Sequence, residues 1–138
     1  MGNVIEEITH AYWGVIRRRE GYDDWDLEEL ATLPDGDRIR FRFVFDDPND
    51  PIVQANHTEF KKRWEEVWSR ILDRVQEMKS DYGYSDVPIN PERDWFYLRL
   101  PKQPLGDNAW WSVMLQADEA GWLLDFVNWE DHGGQGVF

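Results

Sequence analysis

The sequence predicts an α+β fold, a curved antiparallel sheet of about four or more strands packed on two long helices. Three observations predict it. Residues 57–79 carry an apolar stripe at helical spacing, and residues 4–19 carry a second one. Residues 38–45 alternate apolar and charged side chains with the period of a strand, and the same alternation returns after residue 95. The elements are expected in the order α-α-β-α-β-β-β. That order is loosely cone-like, a sheet wrapped over a helix.

In the first element Asn3 serves as N-cap, with Glu6 at capping-box spacing. Ile5, Ile8, Tyr12, Val15 and Ile16 form its stripe. Arg17, Arg18 and Arg19 fall in the expected last turn, where they complement the helix dipole, and Gly21 suits the stop. A short second helix is expected over residues 25–33, capped by Asp24, with Leu27, Leu30 and Ala31 inward. Pro34-Asp35-Gly36-Asp37 is a turn, because Pro presets one dihedral and Gly tolerates positive φ. In the strand that follows, Ile39, Phe41, Phe43 and Phe45 share one face and Arg38, Arg40 and Arg42 the other. Pro48 and Pro51 end it, since neither can donate to a ladder.

The long helix, residues 57–79, is expected to start at an Asn56 cap with Glu59 completing the box. Its stripe is Phe60, Trp64, Val67, Trp68, Ile71, Leu72, Val75 and Met78, and its outer face carries Lys61/Glu65, Lys62/Glu66 and Glu66/Arg70 pairs. After a Gly-, Pro- and Asp-rich loop (80–94), strands are expected over residues 95–100, 109–117 and 122–129. The last two form a hairpin through Asp118-Glu119-Ala120-Gly121. Residues 130–138, with three glycines, are expected to be a mobile tail. The element order is compatible with the sheet-over-helix folds of the NTF2 and cystatin type, and no motif names a family.

A chain of 138 residues is expected to form a single domain, and with no apolar run near 18 residues no membrane span is expected. No signal peptide is read at the N-terminus, so the expected location is the cytoplasm. The absence of cysteine excludes a disulfide scaffold, a thiol nucleophile and a thiolate metal site. The net charge of −13 repels phosphate backbones and anionic membranes, and it attracts basic proteins. This acidity is least compensated near the C-terminus, where residues 81–138 hold 10 acids and only Arg93, Arg99 and Lys102 as bases.

Catalytic signals are weak. His10, placed one turn after Glu6, lacks a third ligand. His57 reads as structural, and His132 lies in an acidic but glycine-rich segment. The serines have no nucleophile-elbow context, the glycines form no phosphate-binding pattern, and Asp46-Asp47-Pro48-Asn49-Asp50-Pro51 lacks the Gly and bidentate Glu of a calcium loop. No catalytic residue, cofactor or metal is therefore assigned.

Nine tryptophans are the unusual feature. Adjacent Trp110 and Trp111 must point to opposite faces of their strand, so one of them is spare. An aromatic patch with an acidic rim is the anatomy of a protein interface. The residues assigned to it are Trp95, Tyr97, Trp110, Asp118, Glu119, Trp122, Asp125, Trp129, Glu130 and Asp131. The expected function is non-enzymatic: an acidic domain that binds, and can inhibit, a basic protein partner, as immunity proteins and nucleic-acid mimics do. A pocket for a small molecule or a reaction, lined by Tyr12, Trp13, Phe41, Phe43, Trp64 and Trp111, is the alternative. A homodimer seam and sugar stacking are two further uses for spare aromatics.

Overall fold

The computed structural model describes residues 3–32, 38–81, 95–117 and 120–137. The fold is α+β, and its element order differs from the expected one. Four strands come first: β1 (Val4–His10), β2 (Gly14–Arg19), β3 (Trp25–Thr32) and β4 (Arg38–Phe45). Helices α1 (Pro51–Lys62) and α2 (Trp64–Asp81) follow, and four more strands close the chain: β5 (Trp95–Arg99), β6 (Trp110–Ala117), β7 (Ala120–Val127) and β8 (Glu130–Val137). All eight strands pair in chain order in one open sheet. Every pairing is antiparallel except β4 with β5, which the helical crossover makes parallel.

The first expected helix is thus the β1–β2 hairpin. Ile8 and Ile16 are eight residues apart, which is close to two helical turns, but in a hairpin the same two residues face each other across the ladder. The local chemistry sides with the strands. Val4, Ile5, Ile8, Thr9, Val15 and Ile16 are β-branched, and Gly14 turns the chain at φ +76°. The arginine triplet answers cross-strand acids instead of a helix dipole. Arg17 pairs with Glu7 at 3.0 Å, Arg18 with Glu6 at 3.1 Å and Arg19 with Asp26 at 2.9 Å. The second expected helix is β3. Its Leu, Glu and Ala content favours a helix, but eight consecutive pairings with β4 outweigh that local preference.

The long apolar stripe is real, although its backbone is not one helix. Asp50 caps α1, accepting from Ile52 N at 2.9 Å, and Pro51 occupies the first turn. The start therefore lies six residues before the expected one, and Asn56 is an interior residue instead of a cap. The helix breaks at Arg63 (φ −104°, ψ 20°) and resumes as α2. Phe60, Val67, Trp68, Ile71, Val75 and Met78 are all buried across that break. Of the three expected outer-face pairs, Glu66 with Arg70 forms at 3.1 Å. Lys61 and Lys62 turn instead to Glu29 and Glu59.

The core lies between the helices and one face of the sheet. Phe41, Phe43 and Phe45 of β4, Phe96 and Leu98 of β5, Trp111, Val113 and Leu115 of β6, and Trp122, Leu124 and Phe126 of β7 share that face and are buried. The expected mobile tail is strand β8, paired with β7. Gly134 permits this, since a Cβ there would lie 2.7 Å from Leu123 O and 2.9 Å from the Met78 sulfur. Only a glycine lets β8 sit under α2 so closely. Among the described residues no helix is long and apolar enough to cross a membrane. The Pro34–Asp37 turn and all but the first two residues of the 80–94 loop lie outside the described residues.

Candidate functional site

No described helix covers the opposite face of the sheet. Over β1 to β4 this face is closed by charge pairs. Asp26 is 4% exposed and holds Arg19, while Arg42, 8% exposed, lies 3.8 Å from Glu28. Burial lowers the Arg42 guanidinium from its ordinary value, because the charged form is poorly solvated there. Across β5 to β7 the same face carries Tyr97, Arg99, Trp110, Ser112, Met114, Leu123, Asp125 and Val127 at successive register positions. These side chains are half-buried except Trp110, which is 61% exposed.

A cleft of about 300 Å³ opens at the edge of this patch, where β4 and β5 end and β6 begins. Its walls are Asp46, Arg99, Lys102, Trp110, Ser112 and Asp125, over a floor that includes Phe45 and Trp111. The loop of residues 100–109 shapes it and is pinned at both ends. From α1, the buried Asn56 donates to Pro101 O at 3.0 Å and Gln103 O at 2.8 Å, and accepts from Leu105 N at 3.1 Å. From the β7–β8 turn, Asn128 Oδ1 accepts from Gly106 N at 2.9 Å and Ala109 N at 3.0 Å. Asn128 takes φ 51°, a left-handed conformation that asparagine tolerates better than most residues.

The cations of the cleft are already engaged. Arg99 holds both oxygens of Asp24, and this hydrogen bonding raises the guanidinium above its ordinary value. Lys102 pairs with Asp46, which is held below the ordinary carboxylate range by that hydrogen bond. Burial pushes the Tyr97 phenol up. Asp125 differs from these acids. It stands opposite Ser112 in the ladder, and no side chain among the described residues forms an ion pair with it.

The structure therefore divides the predicted patch. Tyr97, Trp110 and Asp125 come together on the helix-free face. Trp122 does not belong there: it is 1% exposed and lies in the core, because its strand parity matches Phe126 and Leu124. Trp129 turns to the helix side, with its ring 5.4 Å from Phe60 and 3.9 Å below the Arg63 guanidinium. Asp131 lies there too, 3.5 Å from Arg74 of α2, and Glu130 is exposed at the start of β8. Trp95 takes the register position opposite Arg40, and Asp118 and Glu119 lie outside the described residues. Sequence reading missed Asp46, Arg99, Lys102 and Ser112. The signals for them were that Ser112 shares the parity of Trp110 and Arg99 that of Tyr97, and the rest is long-range pairing.

A second polar cluster lies on the helix side, under the β1–β2 turn. Tyr12 OH lies 2.9 Å from His57 Nδ1 and 2.7 Å from Thr58 Oγ1, and it donates to Gln54 O at 2.8 Å. His57 Nε2 is 3.7 Å from Glu29, which Lys61 also bonds at 2.8 Å. His10 secures the turn by accepting from Tyr12 N at 3.0 Å, which leaves its other nitrogen to donate to Asn49 at 2.8 Å. The expected pocket in this region is occupied by its own rings. Trp13 stacks on Phe45 at 4.1 Å, and Phe41 meets Trp64 at 4.7 Å.

Burial alone would raise the Glu29 carboxyl, but the nearby His57 imidazole and the hydrogen bond from Lys61 outweigh it and hold the group below the ordinary carboxylate range. A depressed folded value stabilises the fold above the unfolded value, and this is lost as pH falls through the folded one. Glu29→Gln should therefore lose less stability than the parent between neutral pH and pH ~3, read as urea midpoints at the two pH values. Equal losses in both proteins would show that Glu29 carries no such linkage.

Compared with protein-family models, curated proteins and solved structures, the chain matches none.

Proposed function

We propose that this chain is a non-enzymatic interaction module that binds a basic protein partner through the helix-free face of β5 to β7, in the manner of an immunity protein or a nucleic-acid mimic. The observation that carries the reading is Trp110. A 61% exposed indole stands opposite Val127 and diagonal to an acid with no described ion-pair partner, at the mouth of a cleft and on the face that also carries Met114 and Leu123. Leaving an aromatic side chain of this size in water forgoes burial worth about 2–3 kcal/mol, which association can recover. The net charge of −13 supplies the long-range attraction for a basic partner and repels nucleic acid and anionic membranes.

Capture from the native lysate tests this with three baits: the parent chain, Trp110→Ala and Asp125→Ala. One stoichiometric basic protein should be retained by the parent at low salt and released as salt rises, since exposed charges are screened. Both variants should retain less of it. A clean lane at both salts, or retention that ignores both substitutions, would remove this face as the binding surface. A mass in solution twice that of the chain, reduced to one by Trp110→Ala, would assign the face to a second copy instead.

A further inference from the structure

Resting on that reading and naming its central contact, we propose that the cleft receives one arginine side chain of the partner, its guanidinium lying on the indole of Trp110 and paired with Asp125. Three features of the site lead there.

The first is the fixed geometry of the two groups. Trp110 stands opposite Val127 and Ser112 opposite Asp125 in the antiparallel β6–β7 ladder. Trp110 and Asp125 are therefore diagonal neighbours on one face, a relation that places such residues about 7–8 Å apart, within reach of one planar cation between them. The indole is also held in place, with its ring 5.3 Å from that of His132 at 65°. A held aromatic ring loses little freedom when a ligand stacks on it.

The second is the charge arrangement. Arg99 is taken by Asp24 and Lys102 by Asp46, so the carboxylate left to answer an incoming cation is Asp125. An anion entering the cleft would meet Asp125 and the field of a −13 chain. Arg99 and Lys102 also limit the occupant. They line the same cleft as Asp125, so a run of adjacent cations would meet two like charges there, whereas a single cation meets them least.

The third is the match of shape to chemistry. Guanidinium is planar, more weakly hydrated than an ammonium, and able to stack on an indole while donating two parallel bonds to a carboxylate. The Ser112 hydroxyl, directly across from Asp125, offers a further acceptor at the same level. Lysine presents a compact, strongly hydrated charge and uses the indole less well.

The test follows the nine indole N–H signals of the intact ¹⁵N-labelled chain while N-acetyl-arginine amide is added, with the citrulline and lysine amides as controls. The Trp110 signal is assigned by its loss in Trp110→Phe. The arginine probe should move that signal and the backbone amides of Ser112 and Asp125, saturating near about 1 mM or above, as expected for a single contact. Citrulline, neutral but of the same shape, should move nothing, and lysine should bind less tightly. Asp125→Asn should weaken the arginine probe about tenfold or more while the rest of the spectrum is unchanged. Equal responses to arginine and citrulline, shifts spread over several indoles, or full binding by Asp125→Asn would overturn the proposal. A captured partner that binds Asp125→Asn as tightly as the parent would overturn the arginine contact and leave the interaction reading standing. Probe binding with no partner captured at either salt would overturn the protein as source and assign the cleft to a free guanidinium compound.

Discussion

Trp122→Ala should cost this fold about 3–5 kcal/mol, the range for emptying a fully buried aromatic site. Trp110→Ala, one strand position from the core residue Trp111 but on the other face, should stay within about 0.5 kcal/mol of the parent. The two residues are of one type on paired strands, and what separates them is side. Trp122 is 1% exposed and shares its face with Leu124 and Phe126 under the helices, whereas Trp110 is 61% exposed on the other face. Urea unfolding of the two variants decides it through the midpoint at unchanged slope. Comparable losses for both would mean that both faces of β6 and β7 are covered, and a reversed order would mean that these strands present the opposite face to the helices. The partner-binding readout should reverse the order, since Trp110 is the residue assigned to the interface.

The second large effect is expected at Asn56. This side chain is 3% exposed and makes three hydrogen bonds to the backbone of one loop, at Pro101, Gln103 and Leu105. Asn56→Ala leaves those backbone groups without their partner, each worth about 1–3 kcal/mol when buried, so a loss of about 3 kcal/mol is expected after water recovers part of it. Asn56→Asp should do no better, because its carboxylate offers no donor to the two carbonyls. Hydrogen exchange gives the local readout: the amides of Gln103, Leu105 and Gly106 should exchange faster, while those of β7 keep their relative protection. Because this loop carries Lys102 and Pro101 into the cleft, the same variants should weaken binding there without touching Trp110 or Asp125. An Asn56→Ala protein as stable as the parent, with unchanged exchange in the loop, would mean that the loop is positioned by Asn128 alone.

The contrast between Trp122 and Asn56 shows where sequence reading succeeded and where it stopped. The alternation through Arg38–Phe45 gave a strand with its phenylalanines inward, and β4 has Phe41, Phe43 and Phe45 buried on the helix side. Opposite faces for Trp110 and Trp111 followed from strand geometry alone. Which of the two would be covered did not, because that depends on where α2 lies across the sheet. Trp122 was assigned to the patch for the same reason: parity tied it to Leu124 and Phe126, but nothing local said that this triplet was the covered one. Asn56 was read as a cap because Asn before a helical stripe usually is one. Asp50 fills that role one turn and a half earlier, and Asn56 is committed to a loop 45 residues away.

Several features of this protein are set by short-range chemistry and were determined by the sequence itself: the β4 and β5–β7 strands, the β6–β7 hairpin, the stripe of α2 and the acidic surface. Side-chain parity, turn residues and formal charge are local quantities, and no distant contact alters them. Tertiary structure alone decided that residues 4–32 are strands, that residues 130–137 complete the sheet, and that β4 and β5 run parallel across the helical crossover. A spacing of eight residues satisfies a helix and a hairpin alike, and a glycine-rich segment is a tail until a sheet edge offers it a ladder. Those choices rest on backbone pairing between residues far apart in the chain. The cleft is of the same kind: β4, β5, β6 and β7 each contribute to it, and it exists only once the sheet has closed their register.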